Sequence, residues 1–449
     1  MAKRRLFAAA RRKRCRLRFH RRTMTKGFVI AAPSSGDGKT LVTMGLLARF
    51  RELGVNVAAA KCGPDYIDPR FHEAATGRAS VNLDPWAMRP GLINTLLPRD
   101  ADLLVVEGVM GLFDGAKGGA GSTADLAAML GLPVVLVVDV QRQAQTAAAI
   151  ALGCARLRED VKVAGVILNG VASPRHAGLA AELFHKAEVP LLGSVPLTPG
   201  LDMPSRHLGL VQAMELDGLS DLIEEAADAV MGVNAGALQH LAAPFPAMGE
   251  AAPPLAPLGQ RIAVASDVAF AFAYPHLLQG WQRAGAEIVP FSPLADEAPD
   301  AAADAIFLPG GYPELHAGQL TAAETFWTGL QAAADRGALI YGECGGYMAL
   351  GEAIVDADGV GHEMAGLLPL VTSFAEQSTH MSYRTLKPLM GAPWKGELRG
   401  HEFHFASTIK AGRAQPLFHA GHLGSREQGP EGMRIGKVMG SFMHVVDCV

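Results

Sequence analysis

The feature that most constrains this chain is a set of strand-like runs without polar alternation. "GFVIAAP", "VNVAAAK", "DLLVVEG", "PVVLVVDV" and "VAGVILNGV" are apolar on consecutive residues, and helical stretches such as "TLVTMGLLARFRELG", "STADLAAMLG" and "QTAAAIALGCARL" separate them. A strand with one wet face alternates; a strand buried on both faces does not, and parallel sheets sandwiched by helices are where such strands occur. The alternation of strand and helix predicts a doubly wound α/β domain over residues 26–240.

A stretch rich in Ala, Pro and Gly follows at 241–260 and reads as an interdomain linker. A second α/β series then begins, with strands in "RIAVASD", "EIVPFSP", "DAIFLPGG" and "ALIYGECGG" and helices around "YPHLLQGWQRAG" and "TAAETFWTGLQAAADRG". It predicts a second doubly wound domain over 261–449. A length of 449 residues exceeds one ordinary domain, and a half-apolar composition suffices for two cores.

Charge is unevenly placed. Residues 1–23 carry 11 Lys/Arg and no acid, leaving 29 basic against 44 acidic residues in the remainder. The basic segment, 1–25, reads as a disordered tail, or as translated sequence upstream of a start at Met24, rather than as a targeting peptide or nucleic-acid arm, and no nucleic-acid partner is expected for the acidic body. The tail lacks an apolar signal core, and no later run is long and apolar enough to span a membrane. The five cysteines form no C-x-x-C pair, which fits neither a disulfide framework nor a structural zinc site and favours the reducing cytoplasm. A homodimer is compatible with all of this.

The first chemical motif is "APSSGDGKT", residues 32–40. A strand, a loop and a helix in that order turn backbone N–H groups and a helix N-terminus toward an anion. Gly38 permits close backbone approach, Lys39 reaches phosphates and Thr40 supplies a hydroxyl to Mg²⁺; Ser35, Gly36 and Asp37 complete the ATP loop. Pro33 holds the place of the usual first glycine and removes one N–H, so the cradle must turn at Ser34 to Gly36. Glu107, directly after "DLLVV", stands where a metal-orienting carboxylate is expected, with Asp37 and Asp139 as further candidates. Mg²⁺ would sit on Thr40 and Glu107.

Two more loops leave the carboxyl ends of strands and face the same crevice. "KCGPDYIDP" carries Lys61, Asp65 and Tyr66, and "EGVMGLFDG" carries Asp114. These residues are candidates for holding substrate.

In the second half, "LIYGECGGYMALG" reads as a strand, a strained turn with Cys344 at its apex, and a helix whose N-terminus favours a thiolate. His444, in "VMGSFMHVVD", is the candidate base, with His401 and His404 of "GHEFHF" as competitors. The N–H groups of Gly311, in "LPGGYPE", and Gly345 are candidates for an oxyanion hole.

"GGYPE", "GECGGYM" and the late histidine resemble a class I glutamine amidotransferase domain of the cobyrinate type. "SSGDGKT", "GPDYIDP" and "EGVMGLFDG" resemble the ATP domain joined to it in cobyrinate and hydrogenobyrinate a,c-diamide synthases. The resemblance runs from Lys26 to the end of the chain. It implies a dethiobiotin-synthetase-like ATP domain with a variant phosphate loop, which accounts for Pro33. It further implies glutamine hydrolysis by Cys344 and His444, ATP-dependent phosphorylation of a corrinoid carboxylate, and displacement of phosphate by ammonia at the a and c acetates. Asp65, Tyr66 and Asp114 would then orient substrate, and Lys61 would bind phosphate or carboxylate. The "YPHLLQGWQRAGAEIVPFSPLADEAP" wording is similar to the enzymes that act on cobalt-free hydrogenobyrinate, with cobyrinate the alternative. Class I amidotransferases commonly carry a glutamate two residues after the histidine; here Val446 stands there and Asp447 follows, and cobyrinate-type domains are similar in lacking that glutamate, so a Cys344–His444 dyad is the expectation. A P-loop ATPase switch with a degenerate amidotransferase domain, or a nucleotide-sensing scaffold, is the reading from another class.

Overall fold

A computed structural model describes residues 24–206, 209–376, 378–425 and 427–449. The expectation for the basic tail lies outside these residues up to position 23.

The first sheet is built from β1 (Lys26–Ala31), β2 (Val57–Cys62), β3 (Val81–Leu83), β4 (Leu103–Glu107), β5 (Val134–Asp139), β6 (Val163–Val171) and β7 (Leu191–Pro196). These strands are parallel and lie in the order β3-β2-β4-β1-β5-β6-β7. Every residue of β2 and β4 is buried, as the unalternating runs demand. Because β1 lies between β4 and β5, the chain leaves β1 into a crevice at the carboxyl ends, where the phosphate loop precedes α1 (Lys39–Glu52).

The segment between the two α/β units is ordered and tightly held. Ala243–Pro244 forms β8, which pairs antiparallel with Lys26 and Gly27 of β1. Phe245, Met248 and Leu255 are buried, so the segment loses more apolar surface to the core than a free tether would. Its carbonyls are read from both sides: Thr95 donates to Ala252 and Arg89 to Pro253, while Trp281 donates to Leu255 and Trp394 to Ala256.

The second unit opens with β9 (Arg261–Ala265), β10 (Glu287–Phe291), β11 (Ala305–Leu308) and β12 (Leu339–Glu343). Its later part adds β13 (His380–Pro388), β14 (Leu398–His404), β15 (Phe418–His422), β16 (Gln428–Glu431), β17 (Met433–Ile435), β18 (Val438–Ser441) and β19 (Met443–Cys448). A sheet in the order β10-β9-β11-β12-β18-β17 is parallel except for the last pair. A separate antiparallel sheet runs β16-β15-β13-β14-β19. The parallel sheet agrees with the α/β expectation, whereas the antiparallel one is an addition that the apolar runs did not announce. Its strands mix polar and apolar residues, and two short strands, β18 and β19, meet at Phe442, where the chain passes from one sheet to the other. One buried core continues through both units and includes Val29, Leu104, Trp281, Phe307, Tyr341 and Leu398.

Candidate active sites

In the phosphate loop, Gly36 and Gly38 adopt left-handed backbone, with φ of 89° and 87°. Gly38 has a second reason to lack a side chain: a Cβ there would lie 2.2 Å from Nδ2 of Asn169, which donates to the carbonyl of Asp37. The carboxylate of Asp37 accepts from the N–H and hydroxyl of Ser34, holding the turn that Pro33 displaces from the usual position. Burial, chiefly, raises the Asp37 carboxyl above its ordinary range. Lys39 donates to the carbonyl of Ser34, and burial first, then the neighbouring Lys61, lowers its ammonium. Ser35 lies in the same loop and is exposed.

Behind the loop stands a buried ionic cluster. Thr40 donates to Glu107 Oε1 at 2.8 Å and to Asp68 Oδ2 at 3.3 Å. Lys61 Nζ donates to Asp68 Oδ2 at 2.5 Å, to Glu107 Oε1 at 2.9 Å and to the carbonyl of Gly108, with Asp65 at 3.7 Å. His72 Nε2 closes the far side of Glu107 at 2.6 Å from Oε2. Burial alone would raise Glu107, but Lys61 and His72 more than offset it and hold the carboxyl well below the usual range. Asp68 goes the other way: burial and Asp65 outweigh Lys61 and push it well up. The structure therefore brings Thr40, Lys61, Asp65 and Glu107 together as the sequence suggests, and adds Asp68 and His72. Asp68 stands in the quoted loop, whereas His72 sits on a helix (Asp68–Thr76) and shows no motif. Asp139 accepts from the N–H of Gln141, a local turn contact. Asp114 similarly accepts from the N–H of Gly111, and a Cβ on Gly111 would lie 2.5 Å from the carbonyl of Pro33, so this loop packs directly on the phosphate loop.

Cys344 occupies the turn between β12 and a short helix (Gly345–Ala349), with φ 47° and ψ −108°. Such a backbone in a residue with a Cβ is strained and is tolerated only where packing enforces it. Gly346 supplies the enforcement, since a Cβ there would meet the carbonyl of Leu308 at 1.9 Å. Sγ lies 3.5 Å from the carbonyl of Phe403, in a small pocket that Phe272, Tyr312, Glu314, Phe374 and His404 also line. Burial raises the thiol well above its ordinary value. A Cβ added to Gly310 would lie 3.2 Å from both Cys344 Cβ and His444 Nε2, so these two side chains flank one narrow gap. Likewise a Cβ on Gly345 would lie 3.1 Å from the N of Gly311, which places the two expected oxyanion donors side by side.

His444 is the histidine nearest that gap. Residues His401 and His444 are directly opposite in β14 and β19, and their rings stack at 4.7 Å and 6°. Burial lowers both, His444 well below its ordinary value, with His401 and His404 adding to the effect, and His401 down to about 3. His401 Nε2 is engaged by the hydroxyls of Tyr274 at 2.7 Å and Tyr66 at 3.2 Å, while His404 bonds to Glu402 and to the carbonyl of Ala406.

Tyr66 belongs to the first unit yet lies against the second. Its ring packs on Phe272, Tyr274 and His444 at 5.1, 4.4 and 5.2 Å. The same loop thus touches the ionic cluster through Asp65 and Asp68 and the histidine pair through Tyr66. Asp447 is likewise consumed across the boundary: Arg89 donates to it from its N, Nε and Nη2 at 2.8, 2.9 and 2.8 Å. Tyr383 donates to Asp84, and Arg399 lies over Trp86 at 5.1 Å. Among the described residues no helix is long and apolar enough to cross a membrane.

Residues 261–447 match the CobB/CobQ-like glutamine amidotransferase domain, and residues 69–205 match an AAA domain, a match that begins after the phosphate loop. The chain is 54% identical over 430 residues to the hydrogenobyrinate a,c-diamide synthase of Brucella suis biovar 1, covering 94% of this chain and 98% of that one. It is 52% identical over 427 residues to the enzyme of that name from a Sinorhizobium species, with coverage of 94% and 98%. The Mesorhizobium japonicum protein of the same name is 48% identical over 432 residues, again with 94% and 98% covered. Identity at this level over nearly the whole of both chains places this chain in the hydrogenobyrinate a,c-diamide synthase family.

Proposed function

We propose that the chain uses ATP and glutamine to convert the a and c acetate carboxylates of hydrogenobyrinate into amides. The observation that supports this reading most is the full-length relation to proteins of that name. The site roles below are part of the proposal.

Cys344 attacks the side-chain carbonyl of glutamine as its proton passes to His444 Nε2. The carbonyl electron pair moves to oxygen, which the N–H groups of Gly311 and Gly345 receive. Collapse breaks the carbon–nitrogen bond, and the proton on Nε2 leaves with the nitrogen as ammonia. Water then hydrolyses the thioester to glutamate and restores the thiol.

In the first unit, the loop from Ser35 to Thr40 holds the phosphates of ATP, with Lys39 turning from its own loop carbonyl to the anion. The oxygen donors Thr40, Asp68 and Glu107 suit a hard cation such as Mg²⁺, which neutralises phosphate charge when bound. Lys61 already bridges these carboxylates and would have to share them. A corrinoid carboxylate held near Lys61, Asp65 and Asp114 attacks the γ-phosphorus, releasing ADP, because a free carboxylate has no leaving group that ammonia can displace. Ammonia adds to the acyl phosphate, phosphate departs, and the amide forms. The Lys61–Asp68 loop reaches both sites, through Asp65 and Asp68 at the ionic cluster and through Tyr66 at His444.

The test is to incubate the protein with ATP, Mg²⁺, glutamine and hydrogenobyrinate, and in parallel with cobyrinate. Mono- and diamide products are followed by mass spectrometry together with ADP and glutamate. Diamide formation with hydrogenobyrinate is expected; absence of amide with either corrinoid defeats the reading, and a preference for cobyrinate corrects the substrate.

A further inference from the structure

The position that usually supplies the acid partner of the histidine is Val446, and the next residue, Asp447, is committed to Arg89. His444 Nδ1 is buried and lacks a hydrogen-bond partner among the described residues. A buried imidazole nitrogen left alone is costly, and such an orphan marks either strain or a missing functional contact.

One carboxylate faces it. Glu343, the last residue of β12, directly before the nucleophile, is 2% exposed, and its Oε2 lies 3.8 Å from His444 Nδ1. Its other oxygen, Oε1, accepts from the hydroxyl of Tyr341 at 3.1 Å and from the N–H of Val445 at 3.1 Å. The register explains why it can reach. Strand β12 pairs with β18, Glu343 opposite Ser441, and β19 begins two residues later, so the side chain of Glu343 meets the backbone beside His444.

We propose that Glu343 is the positioning residue for His444: Oε2 accepts the Nδ1 hydrogen, which fixes the tautomer whose Nε2 faces Cys344 and stabilises the imidazolium formed when the thiol proton is transferred. The inference rests on the glutamine-hydrolysing reading above. No bond to carbon changes at Glu343; it holds a proton on Nδ1 while the reacting proton moves at Nε2. Closing 3.8 Å to a hydrogen bond of about 2.8 Å is a movement of about 1 Å, and catalytic hydrogen bonds are commonly long before substrate binds. Burial pushes the Glu343 carboxyl up to about 8, and the hydrogen bonds from Val445 and Tyr341 to Oε1 oppose that shift by favouring the carboxylate the role requires. The two donors on Oε1 leave Oε2 as the oxygen free to serve His444.

The experiment compares Glu343→Gln with the parent in the full-length protein. Glutamine hydrolysis should lose a factor of about 10² to 10⁴ in kcat, as when an orienting carboxylate is made an amide in a comparable triad, with KM for glutamine changed by less than about threefold. Amidation driven by ammonia, which needs no glutamine hydrolysis, reports that the variant is folded. A kcat within about threefold of the parent, or a change confined to KM, overturns the inference. Should Glu343→Gln not fold, ¹⁵N-histidine spectra of the parent decide, with His444→Gln used to assign the signal. Hydrogen on Nδ1 supports the assignment, and hydrogen on Nε2 removes it. Neither glutamine hydrolysis nor the spectrum involves a corrinoid, so failure of the substrate reading is seen separately as loss of amidation in the parent.

Discussion

Replacing Arg89 by Ala tests whether the two units are held together as the geometry indicates. Asp447 is fully buried, and the Arg89 side chain, 30% exposed, supplies two charge-assisted hydrogen bonds to it. At about 1.5–3 kcal/mol each, losing both represents about 3–6 kcal/mol. The backbone N–H of Arg89 still serves Asp447, and the partly exposed guanidinium is partly screened, so the lower end, about 3 kcal/mol, is expected. Urea unfolding of the parent, Arg89→Ala, Asp447→Asn and the double variant gives the cycle. Arg89→Ala should be the costlier of the single changes because it strands a buried charge, and the double variant should recover much of the loss, with a coupling of about 2–3 kcal/mol. A cost below about 1 kcal/mol, or additive single effects, would show that the boundary is held by apolar packing alone.

Cys344→Ser should abolish glutamine use while ammonia still supports amidation, because only the nitrogen source is lost. Lys39→Ala should stop both routes; ammonia rescue of that variant contradicts the phosphate role. Burial lowers His276 to about 4, and its Nε2 hydrogen bonds to the carbonyl of Val446. Between that value and the unfolded 6.5, only the unfolded chain takes up this proton, so His276 makes stability fall toward acid by about 1.4 kcal/mol per pH unit. His276→Gln keeps a donor for Val446 and should flatten the slope by that amount between pH 4.5 and 6; an unchanged slope assigns the acid sensitivity elsewhere.

Local chemistry carries far in this chain. Unalternating apolar runs require strands buried on both faces, hence a parallel sheet, and Gly-Lys-Thr after a strand or Gly-Glu-Cys-Gly-Gly before a helix each declare a turn whose backbone suits one kind of site. These features lie within about ten residues of one another, so the sequence by itself determines them. The antiparallel sheet escaped, since its strands mix polar and apolar residues without a clean period, and its register is decided by pairing across long separations. The segment reads as a linker because Ala, Pro and Gly are loop residues; that Phe245, Met248 and Leu255 dock into the core is decided by contacts distant in sequence. Nothing local joins Tyr66 to His444, Arg89 to Asp447 or Glu343 to His444. Each pairing spans about a hundred residues or more and exists only because two sheets bring distant strand ends together, so tertiary structure alone decided which acid faces which histidine.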